Sequence, residues 1–95
     1  MAETTFETPE IQALTRELSQ ELTAEYGPML GSEALVKVLG YRSSGAFQQA
    51  LTRGTIPVPV FRIEYRRGCF ALTRDVAQWL SRQRATATPA GERQT

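Results

Sequence analysis

The chain has 95 residues, with a single cysteine and no histidine. That makes one small domain with a limited core and rules out a disulfide framework, a zinc cluster, and Ser/His or Cys/His catalysis. No apolar run approaches the roughly 20 residues that span a bilayer, and the first residues lack the basic and apolar regions of a secretory signal. The expectation is a soluble, cytoplasmic, non-enzymatic protein with no cofactor and no metal. The 11 basic and 10 acidic residues nearly cancel to +1, but they are segregated. Residues 1–33 hold seven acids and one base (Arg16), a net of −6, and residues 34–84 hold nine bases and two acids (Glu64 and Asp75), a net of +7. A basic body of this kind, nearly all arginine, points first to nucleic acid as a polyanionic partner.

Residues 1–7 show no periodicity and are expected to be disordered. Thr8, Pro9 and Glu10 predict a helix start: threonine caps, proline suits the first helical position, and an acid there favours the dipole. Ile11, Leu14, Leu18, Leu22 and Tyr26 then recur at spacings of three and four as one apolar stripe, and Gly27-Pro28 ends the helix. Glu10, Glu17, Glu21 and Glu25 fall away from that stripe. Residues 8–28 therefore read as an acidic amphipathic helix. Its stripe either packs on the basic domain or pairs with its own copy in a homodimer through Ile11, Leu14, Leu18 and Leu22. The acidic face also offers a competitor to DNA for the basic surface.

After a short apolar lead-in, Met29-Leu30, Ser32 is expected to cap a helix over about 33–39 that turns Leu35, Val36 and Leu39 inward and ends at Gly40. Past Tyr41-Arg42, either Ser43 or Ser44 caps a second helix reaching about Arg53, with Ala46, Phe47, Ala50 and Leu51 inside and Gly54 as its stop. Two short helices joined by such a turn form a helix-turn-helix unit. The outward residues of the second helix are Ser44, Gly45, Gln48, Gln49, Thr52 and Arg53. Glutamine can hydrogen-bond the edge of adenine and arginine that of guanine, while small residues at the helix start let backbone amides approach a phosphate.

Ile56-Pro57-Val58-Pro59 is stiff and extended. Beyond it, Val60–Tyr65 and Cys69–Leu72 alternate as two short strands around a tight turn at Arg66-Arg67-Gly68. One register pairs Tyr65 with Gly68, so that Ile63 faces Phe70 and Phe61 faces Leu72. The other pairs Tyr65 with Phe70 and Ile63 with Leu72. In both, Arg62, Arg66 and Arg67 project from the hairpin or its tip, and an arginine doublet there invites an anion. Thr73 is expected to cap a helix over about 74–84 with Val76, Ala77 and Leu80 inside and Trp79 packing alongside. Arg82 and Arg84 serve either phosphate contact or a solvated helix end. Cys69 reads as a small packing residue, and residues 85–95 as a disordered tail.

The succession of Val38-Leu39-Gly40, Ser43-Ser44, Arg53-Gly54-Thr55-Ile56-Pro57, the Arg66-Arg67 wing, then Thr73-Arg74-Asp75-Val76 and Trp79-Leu80 resembles the MerR-like winged helix-turn-helix. The resemblance is closest to the short excisionase and AlpA-type proteins of prophages and mobile elements, and it covers about residues 29–81. It implies a mainly α fold with a small β-hairpin wing, occupying residues 29–84 and preceded by the amphipathic helix. It further implies that the second helix enters the major groove, with Arg42, Ser43, Ser44, Gln48, Gln49 and Arg53 facing DNA, and that Arg66 and Arg67 of the wing grip the backbone or minor groove. The chain departs from full-length MerR regulators in lacking their long dimerisation helix and effector-binding cysteines, so it is not expected to sense a metal or drug. The acidic helix and the Val58-Pro59 extension are additions to the minimal pattern.

These readings lead to a nucleoid-associated protein that binds double-stranded DNA sequence-specifically as a small transcriptional regulator. The alternative within the same class is an excisionase-type recombination directionality factor. RNA polymerase or a recombinase would be the protein partner, and no membrane is involved. From a different class comes an adaptor that does not bind DNA and uses the acidic helix as its interaction surface.

Overall fold

Thr8 opens the first helix as expected: its hydroxyl accepts a hydrogen bond from the Ile11 N–H at 3.2 Å, and Pro9 takes the first position of α1 (Pro9–Tyr26). The computed structural model describes residues 8–87, so the expectations for residues 1–7 and 88–95 lie outside the described residues. Gly27 (φ 90°) ends α1, with its N–H donating to the Thr23 carbonyl at 2.7 Å. The chain continues through β1 (Met29–Gly31), α2 (Ser32–Leu39), α3 (Ser44–Arg53), β2 (Phe70–Leu72) and α4 (Thr73–Thr86). Among the described residues the protein is thus mainly α, four helices with a two-stranded antiparallel sheet.

The two strands are not those of the expected hairpin. Met29-Leu30, read as a lead-in, belongs to β1, which pairs with β2 in the register Met29↔Leu72, Leu30↔Ala71 and Gly31↔Phe70. On the other side of β2 only Phe61 meets the strand. Its N–H donates to the Phe70 carbonyl and its carbonyl accepts from the Phe70 N–H, both at 2.8 Å. Neither expected register is therefore formed. Extending the observed one would set Pro59 opposite Leu72, and proline has no N–H to give the ladder. The turn moves as well: the Arg66 N–H donates to the Ile63 carbonyl at 3.0 Å, so Glu64 and Tyr65 occupy its centre rather than Arg66-Arg67-Gly68.

Two hydroxyls expected to cap helices hold the tertiary structure together instead. Ser32 is the first residue of α2, whose N-cap is Gly31 with no side-chain bond. The Ser32 Oγ accepts from the Cys69 N–H at 3.2 Å and donates to the Cys69 carbonyl at 3.3 Å, closing the loop that returns to β2. Thr73 likewise lies inside α4 rather than before it. Its buried hydroxyl donates to the Gly27 carbonyl at 2.7 Å, and its N–H donates to the Pro28 carbonyl at 2.9 Å. The start of α4 is thereby fastened to the end of α1. At the other end α4 runs to Thr86, so Ala85 and Thr86 are helical rather than part of a tail.

The core is built from Leu30, Leu35, Phe47, Val58, Cys69, Ala71 and Val76. Val58, from the proline-flanked extension, is buried while Pro57 and Pro59 are exposed, and Ile56 packs half-buried against the same cluster. Leu22, Tyr26, Trp79 and Leu80 pack around this cluster. α1 lies chiefly along α4, where Ile11 is buried and the buried Ser81 keeps the helix surface small. The apolar stripe of α1 accordingly has a partner within its own chain.

Candidate nucleic-acid interface

α3 begins at Ser43, whose extended backbone (φ −160°, ψ 165°) and hydroxyl, accepting from the Ala46 N–H at 3.0 Å, make it the cap in preference to Ser44. The helix is anchored by Phe47, which is fully buried and meets the ring of Tyr41 edge-on at 5.5 Å. Ala50 is also buried and Leu51 half-buried, which leaves the other side to solvent. Gly54 (φ 72°) takes the left-handed position after the helix, and the Thr55 N–H and hydroxyl both donate to the Ala50 carbonyl, at 2.9 and 3.3 Å. α3 is held in place at both ends.

Every residue expected to face DNA is exposed: Arg42 and Ser43 in the turn, and Ser44, Gln48, Gln49 and Arg53 on α3. Gln48 and Thr52, and Gln49 and Arg53, are each four residues apart, so they form two parallel rows on the helix surface. Together these four line one shallow depression. The arrangement offers two amides, a hydroxyl and a guanidinium side by side, a set suited to hydrogen-bonding base edges.

Arg62, Arg66 and Arg67 are exposed on the loop between Phe61 and Phe70. That loop is a turn on a single bridge rather than a two-stranded ribbon. Its outgoing side is fixed by Cys69 on Ser32, and Gly68 (φ 79°) passes so close that a Cβ there would lie 2.9 Å from the Ser32 Oγ. Tyr65, which the expected strand would have aligned with Phe61 and Ile63 on its inner face, is fully exposed at 101% of its reference area. Alternation misplaced it because no strand forms over Val60–Tyr65, where Phe61 makes a lone bridge and the chain turns between Ile63 and Arg66.

Glu10, Glu17, Glu21 and Glu25 are exposed along α1, whose main packing partner is α4. Among the described residues no cluster of three or more His, Cys, Asp or Glu is placed to hold a metal ion, and no helix is long and apolar enough to cross a membrane. The fold and exposed surfaces define a small, mainly α protein that displays a polar, arginine-ended helix and an arginine-bearing loop. No known family model, curated protein or solved structure matches the chain.

Proposed function

We propose that this protein binds double-stranded DNA sequence-specifically and acts as a small transcriptional regulator of a prophage or other mobile element. In this reading α2, the turn and α3 serve as a helix-turn-helix and the loop between Phe61 and Phe70 as its wing. The observation that carries the reading is the outward face of α3, where Gln48, Gln49, Thr52 and Arg53 stand exposed on a helix anchored by the buried Phe47. Gln48 and Gln49 would address adenine edges in the major groove and Arg53 a guanine or a phosphate. Arg42, Ser43 and Ser44 would meet the backbone at the start of the helix, and Arg66 and Arg67 would neutralise phosphates from the wing.

A single short helix makes few base contacts, so affinity for one site is modest and occupancy depends on repeated sites or on a protein partner such as RNA polymerase. An excisionase-type directionality factor would use the same surface beside a recombinase. A homodimer through Ile11, Leu14, Leu18 and Leu22 forms no part of the proposal, because Ile11 is buried and α1 lies along α4. That packing takes the stripe from the adaptor reading, which keeps the exposed acids Glu10, Glu17, Glu21 and Glu25 as its surface.

The test is a titration of the protein with the DNA upstream of its own gene and with a scrambled duplex, at two salt concentrations. Tighter, salt-sensitive binding to the upstream DNA is the expected result. Absence of binding to either duplex at low salt would refute the proposal.

A further inference from the structure

Tyr65 combines three properties that the fold does not require of it. It is a non-glycine residue with positive φ, at 65°, and no other such residue occurs among the described residues. It occupies the third position of the turn closed by the Arg66 N–H and the Ile63 carbonyl, where a left-handed backbone favours glycine or asparagine. Its ring is entirely exposed, so no burial offsets the cost of that conformation. A tyrosine that packs against nothing in its own chain, in a backbone shape suited to glycine, presents its ring outward.

The surroundings indicate what the ring meets. Arg66 and Arg67 follow it directly and Arg62 lies three residues before it, all exposed, against the single acid Glu64. The loop is also held rather than loose. The Phe61–Phe70 bridge fastens one base, and Ser32 fastens Cys69 on the other. An aromatic ring beside a cluster of cations on a fixed loop suits a polyanion with apolar walls. Duplex DNA supplies such walls as the deoxyribose faces and base edges of the minor groove, flanked by phosphates for the arginines.

We infer that Tyr65 is a DNA-contacting residue whose ring packs into the minor groove between phosphates held by Arg66 and Arg67. This rests on the DNA-binding reading above. The ring adds apolar contact to a loop that would otherwise contribute charge alone, and it sets how deeply the loop seats.

The experiment compares the wild type with Tyr65→Gly and Tyr65→Phe. Each is titrated with the upstream duplex and a scrambled duplex at two salt concentrations, and each is thermally melted without DNA. Glycine removes the ring and suits the turn, so Tyr65→Gly should melt at the same temperature as the wild type or higher. It should also bind DNA about 5-fold more weakly, the low end of the loss found for removing an aromatic ring stacked on a base. The salt dependence should not change, because the ring carries no charge, and Tyr65→Phe should bind like the wild type. Wild-type affinity in Tyr65→Gly would overturn the inference and leave the DNA-binding reading standing. A lower melting temperature for Tyr65→Gly would also overturn it, since the fold would then be what holds the ring. Failure of the wild type itself to bind either duplex would overturn both readings.

Discussion

Phe47 and Thr73 show how much single side chains carry in a core this small. Phe47 is fully buried and fixes the face that α3 presents. Phe47→Ala is expected to lower stability by about 3–5 kcal/mol, a large share of the ~5–15 kcal/mol available to a domain, as measured by urea denaturation. Thr73 acts through one hydrogen bond, from its buried hydroxyl to the Gly27 carbonyl. Thr73→Val keeps the shape but leaves that carbonyl without its donor, and should cost about 1–3 kcal/mol, whereas Thr73→Ser should retain most of the stability.

At the scale of elements, the contact between α1 and α4 decides where the apolar stripe of α1 goes. Ser81 is fully buried in α4, and its hydroxyl is satisfied within the helix by the Ala77 carbonyl at 2.9 Å. Its small size, rather than its polarity, is what the packing uses. Ser81→Ala should therefore be nearly neutral, whereas Ser81→Leu should overpack the site and cost about 1–3 kcal/mol in a denaturation experiment. The sheet follows from a comparable local limit. β2 takes β1 as its partner along its full length on one edge, while on the other Pro59 cannot continue a ladder from the Phe61–Phe70 bridge towards Leu72.

For the whole molecule the governing quantity is the separation of charge, with a net of −6 in residues 1–33 and +7 in residues 34–84. Under the proposed function, replacing Arg66 and Arg67 by alanine should reduce the slope of log affinity against log salt by about 2, one phosphate per arginine, as read from titrations over a salt series. The acidic face of α1 should act in the opposite sense. Replacing Glu10, Glu17, Glu21 and Glu25 by glutamine is expected to strengthen binding to a scrambled duplex, by an increment that shrinks as salt is raised. Substitution is the better test than deleting α1. Removing residues 1–27 would also strip the Gly27 carbonyl from Thr73 and the cover from Ser81.

Sequence by itself determined the four helices and the ends marked by Thr8, Gly27, Gly40 and Gly54, which act through backbone groups one turn away and need no knowledge of the rest of the chain. It left Ser43 and Ser44 as alternatives, took Ser32 and Thr73 for caps, and stopped α4 at Arg84 instead of Thr86. It also marked the outward face of α3, because a helical period of 3.6 separates Phe47 and Ala50 from Gln48, Gln49 and Arg53 whatever lies beyond. Tertiary structure decided everything that joins distant residues: the pairing of β1 with β2, the bonds from Ser32 to Cys69 and from Thr73 to Gly27, and the seat of α1 on α4. Each of these spans more than 35 residues of chain, and local patterns carry no record of which remote backbone group a strand edge or hydroxyl will meet. The exposure of Tyr65 belongs to the same class. Period-two alternation is blind to where a ladder stops, and here it goes no further than the Phe61–Phe70 bridge because the chain turns between Ile63 and Arg66.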